Sequence, residues 1–396
     1  MIFLLPEETR EDSIIETLFP ISEQRQPVGT EPDPELIEEE TTPNTTPDPI
    51  FDKERLTKLD TPSATAKGLI DEDGNTGLIY LNKKNGYVYF YYNNEKTRLS
   101  NTTIPDILTA KMGRVDNDIY FTLTTTEDHK TDYQILKLQF TGSEFDFQEL
   151  NENNFETEIL NLPSSVTEVT ISPDQKKILW LERSDDELIG ITADWDLTDQ
   201  KRIFSTSHKQ WQVSWPDPDK VFLQTNSSGH LPGFIYRLDL KTNQIERIIG
   251  DKKGLTGIPS PDGQKIAYSK YTEPDQFSSF IYQIETGVKK QLPINILTDK
   301  CVWGSDSVYL YCGLSEEITR GNYPDDWYKG NINFNDDIWA YTNETGKAFL
   351  FYELQLNKDL NITDLQLSHN DGILLFKNKN TGNLFMWDIY NYESYN

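Results

Sequence analysis

The sequence predicts an all-β protein, and two features of its 396 residues support this prediction. Aromatic residues make up 12% of the chain, and aromatic side chains are favoured in β-strands. From about residue 55 onwards, short runs of alternating Tyr, Ile, Leu, Val and Phe are separated by Asp, Asn, Gly and Pro. This is the pattern of consecutive strands joined by turns, so we expect strands throughout residues 53–396.

A repeated turn divides these strands into units of nearly equal length. Its clearest copies are the Ser-Pro-Asp segments at residues 172–174 and 260–262. The turn aspartates of four successive units are Asp174, Asp217, Asp262 and Asp306. They are 43, 45 and 44 residues apart, which is the period of a four-stranded blade. Weaker copies on both sides bring the total to seven, so the sequence predicts a seven-bladed β-propeller of four-stranded antiparallel blades.

The ends of the repeat array predict how the ring closes. The last unit has sequence for only three strands before the chain ends at Asn396. Residues 54–59 resemble the outer strand at residues 95–99. We therefore expect an N-terminal strand to complete the C-terminal blade, which removes an exposed sheet edge.

Residues 1–52 differ in composition from the rest. They are rich in Glu, Pro and Thr, and such a segment cannot bury enough apolar surface to offset its ordering entropy. We expect a disordered acidic linker over residues 1–52 and the β-propeller over residues 53–396. The net charge of −28 repels nucleic acid and anionic lipid, so neither is expected as a partner.

Motifs of the common catalytic classes are missing from the sequence. It has no Gly-x-Ser-x-Gly elbow, no His-Glu-x-x-His, no Cys-x-x-Cys and no Walker loop. We therefore expect no catalytic residues, no metal site and no cofactor, and a chain that binds rather than catalyses. Two alternatives remain open: a glycan-acting hydrolase with carboxylates around the central funnel, and an architectural component of the cell envelope.

The Ser-Pro-Asp-Gly-x-Lys-Ile turn at residues 260–266 resembles the WD40-like repeat with a Pro-Asp signature, which is found in TolB-like propellers. The resemblance covers roughly residues 55–392. The segment from residue 301 to residue 328 is also similar to membrane-anchored propellers of unassigned role in candidate-phyla bacteria. That family implies a membrane helix upstream of a Pro/Glu/Thr linker, and hence an extracytoplasmic location at the cell surface or in the periplasm. This sequence has the linker but not the helix.

A long insertion in the sixth unit, residues 313–335, predicts where a partner binds. Loops that join the second and third strands of a blade open on the same face as the connections between blades, and this face is the usual recognition surface. Exposed aromatics with an Arg are typical of binding hot spots. We expect a protein or glycan partner to bind the residues His208, Trp211, His230, Tyr271, Arg320, Tyr323, Trp327 and Tyr328. The alternative is an insertion that packs on itself, with the Trp327 side chain packed against the edge of the blade.

The two cysteines, Cys301 and Cys312, lie in one segment around a Gly-Ser-Asp-Ser stretch. If this stretch turns a hairpin, the two sulfurs lie on adjacent strands within reach of a disulfide. Two buried thiols are the alternative. Only the disulfide implies an oxidising, extracytoplasmic compartment.

Overall fold

The structure, a computed structural model, describes residues 56–71, 74–127, 130–272, 276–354, 360–368 and 370–389. The predicted linker at residues 1–52 lies outside these residues. The described part of the chain contains antiparallel strands with short connections. The strands are β1 (Leu56–Ile70), β2 (Thr76–Asn82), β3 (Val88–Tyr92), β4 (Glu95–Arg98), β5 (Ile107–Val115), β6 (Asp118–Glu127), β7 (Lys130–Phe140), β8 (Phe155–Asn161), β9 (Val166–Ile171), β10 (Lys177–Ser184), β11 (Glu187–Asp194), β12 (Lys201–Thr206), β13 (Trp211–Asp217), β14 (Lys220–Thr225), β15 (Pro232–Asp239), β16 (Ile245–Lys253), β17 (Thr256–Pro259), β18 (Lys265–Thr272), β19 (Gln276–Gln283), β20 (Lys289–Gln291), β21 (Cys301–Trp303), β22 (Tyr309–Leu314), β23 (Asp337–Thr342), β24 (Ala348–Tyr352), β25 (Ile362–Leu367), β26 (Ile373–Asn378) and β27 (Asn383–Asp388).

Five sheets each contain four consecutive strands in chain order, β5–β8, β9–β12, β13–β16, β17–β20 and β21–β24. Every strand pair in them is antiparallel. The first strand of each sheet is the inner one, and inner strands of neighbouring sheets contact each other, as β9 contacts β13. Apolar side chains fill the space between sheets: Leu179 and Leu188 of one sheet pack in the same cluster as Val213 and Tyr236 of the next. The predicted all-β propeller with four-stranded antiparallel blades is confirmed.

The remaining strands form one seven-stranded sheet in the order β25-β26-β27-β1-β2-β3-β4. The prediction of seven separate blades is therefore corrected to five separate blades and this shared sheet. The physical reason is the length of β1, whose 15 residues run without a break through two sets of pairings. Residues 56–62 pair with β27, and residues 63–70 pair with β2. The first set is the predicted pairing of an N-terminal strand with the C-terminal unit, and it is observed from Leu56 onwards.

The repeated Ser-Pro-Asp turns are local hydrogen-bond motifs. Ser172 Oγ donates to Asp174 Oδ1 over 2.6 Å and accepts from the backbone N of Lys177 over 2.9 Å. Ser260 bonds Asp262 and accepts from the backbone N of Lys265 in the same way. These side chains satisfy backbone donors that the turn leaves unpaired. The repeated aspartates thus stabilise turns and lie at the end of each blade opposite to the inter-blade connections.

We call the other end of the propeller the loop face. The inner strands begin there, and because each pairs antiparallel with the second strand, the second strands end there. It therefore carries the connections between sheets and the loops between second and third strands. In the part of the chain that the structure describes, no helix is long and apolar enough to cross a membrane.

Candidate functional site

The insertion predicted at residues 313–335 corresponds to residues 315–336 between β22 and β23, and it lies on the loop face. It contains the short helix α1 (Asp325–Tyr328). Tyr323 and Trp327 are only 1% and 2% exposed. They form an apolar cluster with Ile332 and Phe334 of the insertion and with Phe277 and Leu297 of the propeller. The insertion is therefore folded onto the propeller by its own small core.

Polar contacts join the insertion to the neighbouring blades. Asp325 Oδ2 accepts from the backbone N of Gly229 over 2.6 Å, in the loop between β14 and β15. Trp327 Nε1 donates to Asn361 Oδ1 over 2.9 Å, just before β25. The rings of Tyr323 and Phe277 on β19 meet edge to face with centroids 4.7 Å apart. The insertion thus ties three sheets besides its own.

Two glycines allow this close approach. A Cβ at Gly229 would lie 2.0 Å from Asn322 Oδ1 and 2.8 Å from the carbonyl oxygen of Tyr323. Gly254 has a φ of +61°, and a Cβ there would lie 2.6 Å from the same carbonyl oxygen. Both positions therefore need a residue without a side chain.

Three of the aromatic residues predicted to contact a partner are buried, so the expectation that they are exposed is wrong. Tyr323 and Trp327 lie in the core of the insertion, and Trp211 is 6% exposed in the apolar cluster between β9–β12 and β13–β16. Trp211 also donates from Nε1 to the carbonyl oxygen of His208 over 3.1 Å. Their burial follows from the number of apolar side chains that the insertion and the inter-blade gap bring together.

The other predicted residues have different surroundings on the same face. His208 and Arg320 are exposed, and the His208 ring lies edge-on to Trp211. His230 is exposed, with Nε2 3.0 Å from Nδ2 of Asn322 in the insertion. Tyr271 is half-buried against Gly254. Tyr328 is 39% exposed.

A cavity of about 260 Å³ opens at the loop-face end of the inner strands. We call it the axial cavity, because the inner strands of a propeller surround its axis. Its wall comes from four sheets and from the connection before β21. The lining residues are Gln212, Gln224, Gly257, Ile258, Thr298, Asp299, Cys301, Asp364 and Leu365. The lining is mostly polar, with two carboxylates and two amides.

Asp299 joins the cavity to the insertion. It lies in the 3-10 turn Thr298–Lys300 that precedes β21, and its Oδ1 accepts a hydrogen bond from the Tyr328 hydroxyl over 3.1 Å. Asp299 is exposed and opens to the cavity, and partial desolvation by the surrounding wall raises the pKa of its carboxyl. Partial desolvation and the charge of Asp299 in turn raise the pKa of Tyr328, which remains 39% exposed.

The second carboxylate of the cavity, Asp364, is paired within the protein. Its Oδ2 lies 2.5 Å from Nζ of Lys377, and its Oδ1 accepts from Nε2 of Gln366 over 3.0 Å. Among the described residues, no Lys, Arg or His side-chain nitrogen lies within 4.0 Å of the Asp299 carboxylate oxygens. The two acids of one cavity therefore differ, because one is neutralised and the other is not.

A buried ion pair holds the turn that carries Asp299. Nζ of Lys300 lies 2.7 Å from Oδ1 and 2.6 Å from Oδ2 of Asp336, and Asp336 Oδ2 also accepts from the backbone N of Ile362. The Lys300 ammonium lies 4.0 Å from the Phe334 ring centroid. Burial lowers the pKa of Lys300 to about 8. This pair anchors the base of the insertion beside the cavity.

Cys301 and Cys312 lie directly opposite each other on β21 and β22, with Cα atoms 4.1 Å apart, and their sulfurs form a disulfide in the structure. The disulfide is beside the cavity, since Cys301 is part of the lining. Within the described ranges, no group of three or more His, Cys, Asp and Glu is placed to hold a metal ion.

The sequence did not identify Asp299, Asp364, Gln212 and Gln224, because none of them belongs to a motif. One signal was present for Asp299. The charged pair Asp299-Lys300 comes directly before the inner strand that starts at Cys301, which places a charge at the propeller axis. Gln212 and Gln224 look like ordinary strand residues.

No protein family matches the sequence, and no curated protein matches it. Solved structures share its fold. An oligogalacturonate lyase in complex with manganese is 10% identical with a TM-score of 0.53, and the match covers 84% of this chain and 97% of that chain. TolB from Acinetobacter baumannii is 13% identical with a TM-score of 0.43, covering 82% and 79%. An acylaminoacyl peptidase is 13% identical with a TM-score of 0.46; the match covers 70% of this chain but only 45% of that one.

At these identities the likeness shows a β-propeller fold and nothing finer. The similar structures include enzymes as well as TolB, so they do not separate catalysis from binding.

Proposed function

We propose that the chain is a binding propeller that engages a protein partner through its loop face, around the mouth of the axial cavity. The observation that supports this most strongly is the cavity itself, which is walled by several blades and is linked to the packed insertion by the hydrogen bond between Tyr328 and Asp299. Concave sites with a few converging polar groups are the usual place for recognition. A face that is already ordered loses little conformational entropy on binding.

Exposed apolar side chains on this face favour a protein partner over a glycan. Leu231 is 67% exposed in the loop that contacts the insertion, Tyr328 is 39% exposed in α1, and Leu108 is 43% exposed at the start of β5. Together with the exposed His230 and Arg320, they give the mixture of apolar, aromatic and Arg groups that is enriched in protein interfaces.

We further propose an extracytoplasmic location, at the cell surface or in the periplasm. The disulfide between Cys301 and Cys312 supports it, because such bonds persist in oxidising compartments. We also propose that the seven-stranded sheet acts as two blades joined by β1, which gives the ring seven four-stranded units.

The experiment is capture from an envelope fraction with the full chain, compared among three forms. The wild type is set beside Leu231→Asp on the loop face and Val288→Asp as a matched control. Val288 is 58% exposed in the turn between β19 and β20, at the opposite end of the blade. The proposal predicts that the wild type and Val288→Asp both capture the same protein, and that Leu231→Asp does not capture it. Equal retention by all three forms contradicts it.

Glycan hydrolysis remains the second candidate, and the placement of Asp299 and Asp364 in one cavity is the observation that favours it. Glycosidases pair an acid with a base of different pKa, and these two carboxyl groups have different surroundings. Incubation of the full chain with envelope glycans, followed by mass spectrometry, tests it. Turnover that Asp299→Asn abolishes would replace the binding proposal by the enzymatic one.

A further inference from the structure

The axial cavity contains an acid that the protein itself leaves without a counter-charge. Asp299 Oδ1 accepts one hydrogen bond, from Tyr328, and no cationic group of the described residues pairs with its carboxylate. The other acid, Asp364, already has Lys377. Asp299 is exposed to the cavity, so an entering cation can form a charge-assisted hydrogen bond with its carboxylate without displacing a protein counter-charge.

The rest of the lining offers hydrogen-bonding groups but no positive charge. Gln224 donates from Nε2 to Gln212 Oε1 over 3.2 Å. Gln224 Oε1 is left without a hydrogen-bond partner among the described residues. No Lys, Arg or His contributes to the wall. The complementary ligand therefore brings positive charge, on a group whose N–H can donate to the Asp299 carboxylate.

The size of the cavity restricts this ligand further. A volume of about 260 Å³ is smaller than the ~300–1,000 Å³ of pockets for drug-sized ligands. It suits one extended side chain or a small amine. The apolar parts of Ile258 and Leu365 in the wall suit the methylene stem of such a group.

We propose that the cavity is a binding site for a single alkylammonium or guanidinium group, with Asp299 as its counter-ion. Such a group can come from a lysine or arginine of the partner, or from a free amine. The inference rests on the proposed function, because that function makes the loop face around the cavity the partner-binding face. It adds that the partner presents a positively charged group there. A basic side chain also suits a chain of net charge −28.

The test is methyl NMR of the full chain at about 0.15 M salt, where non-specific attraction is screened. Thr298 and Leu365 line the cavity and report on it. The cationic probes are n-butylammonium and Nα-acetyl-lysine methylamide. The neutral probes of similar size are n-butanol and Nα-acetyl-glutamine methylamide. We expect saturable shifts of both methyl signals with the cationic probes only.

Asp299→Asn should raise the Kd of both cationic probes by at least about tenfold, because a charge-assisted hydrogen bond is lost. Asp196→Asn is the matched control, an exposed aspartate between β11 and β12 at the other end of the blade, and it should change the Kd less than twofold. Tighter binding of the blocked lysine identifies a partner side chain as the source, and tighter binding of butylammonium identifies a free amine.

Equal shifts with neutral and cationic probes overturn the inference, as does an unchanged Kd in Asp299→Asn. If Asp299→Asn does not fold, the selectivity of the wild type for cationic over neutral probes still tests the inference. Failure of the cation site can be distinguished from failure of the proposed function. If a partner is captured in a Leu231-dependent way but amines do not bind, the loop face is still the interface and only the cation site is wrong.

Discussion

The Tyr328 hydroxyl donates a 3.1 Å hydrogen bond to Asp299 and so connects the insertion to the carboxylate of the axial cavity. On the same short helix, Trp327 points into the core of the insertion and bonds Asn361. Two adjacent aromatics therefore have different roles: Trp327 attaches the insertion, and Tyr328 contacts Asp299 of the cavity wall. This division changes which substitutions affect folding and which affect binding.

Trp327→Ala should lower the free energy of unfolding by about 3–5 kcal/mol, because it removes a buried aromatic and leaves a void. Chemical denaturation of the full chain measures this. Arg320→Ala, an exposed residue of the same insertion, is the control and should change stability by less than about 0.5 kcal/mol. An unchanged unfolding midpoint for Trp327→Ala would show that the insertion does not pack as described.

The repeat pattern predicted the blades because it arises from local physics. A strand, a Ser-Pro-Asp turn and a second strand need the same residue types at the same spacing each time, and Ser172 and Ser260 indeed form the same hydrogen bonds. The closing strand was also predictable, since the sequence of residues 54–59 resembles the outer strand at residues 95–99. What the repeat did not show is that β1 continues from one pairing into the next without a break.

The candidate site was less predictable, for a different reason. Whether Tyr323 and Trp327 face solvent depends on partners far along the chain, Phe277 and Asn361, which no local pattern reveals. The spacing of Ile332 and Phe334 after them was the available signal for a self-packed insertion. Asp299 acquires its significance only from the cavity around it.

Removal of residues 1–61 should destabilise the propeller, whereas removal of residues 1–50 should leave its melting temperature nearly unchanged. The longer deletion takes away the pairing of Leu56–Leu59 with β27 and exposes the edge of the seven-stranded sheet. Differential scanning calorimetry of the two truncated chains gives the comparison. Identical melting temperatures would mean that β1 does not close the sheet.

The double substitution Cys301→Ser with Cys312→Ser should lower stability by about 2–3 kcal/mol, the loop-closure entropy of a bond between residues 11 apart in sequence. Reduction of the wild type should have the same effect and should add the mass of two hydrogens to the intact chain. Protein folded under oxidising conditions that already carries two free thiols contradicts the bond.

Lys67 should titrate near pH 8, because burial and the positive charge of Arg114 lower the pKa of its amine to about 8. The unfolded amine has a pKa of about 10.4, so the folded protein releases this proton first. The contribution of Lys67 to stability therefore rises as the pH increases from about 8 to about 10.4, and below pH 8 its charge is a constant cost. The ¹³Cε shift of Lys67, assigned by its loss in Lys67→Met, measures the midpoint. A midpoint above pH 10 is incompatible with a buried amine.

The most direct measurement of partner binding places a photo-crosslinking residue at position 231 of the full chain, and in a separate form at position 288. Both side chains are exposed, and they lie at opposite ends of the propeller. After irradiation with the envelope fraction, mass spectrometry identifies what has been joined. Binding through the loop face predicts a single dominant protein crosslinked from position 231, bonded through a segment that contains a lysine or arginine, and no such product from position 288. The same yield from both positions, or a product from position 288 alone, would contradict it.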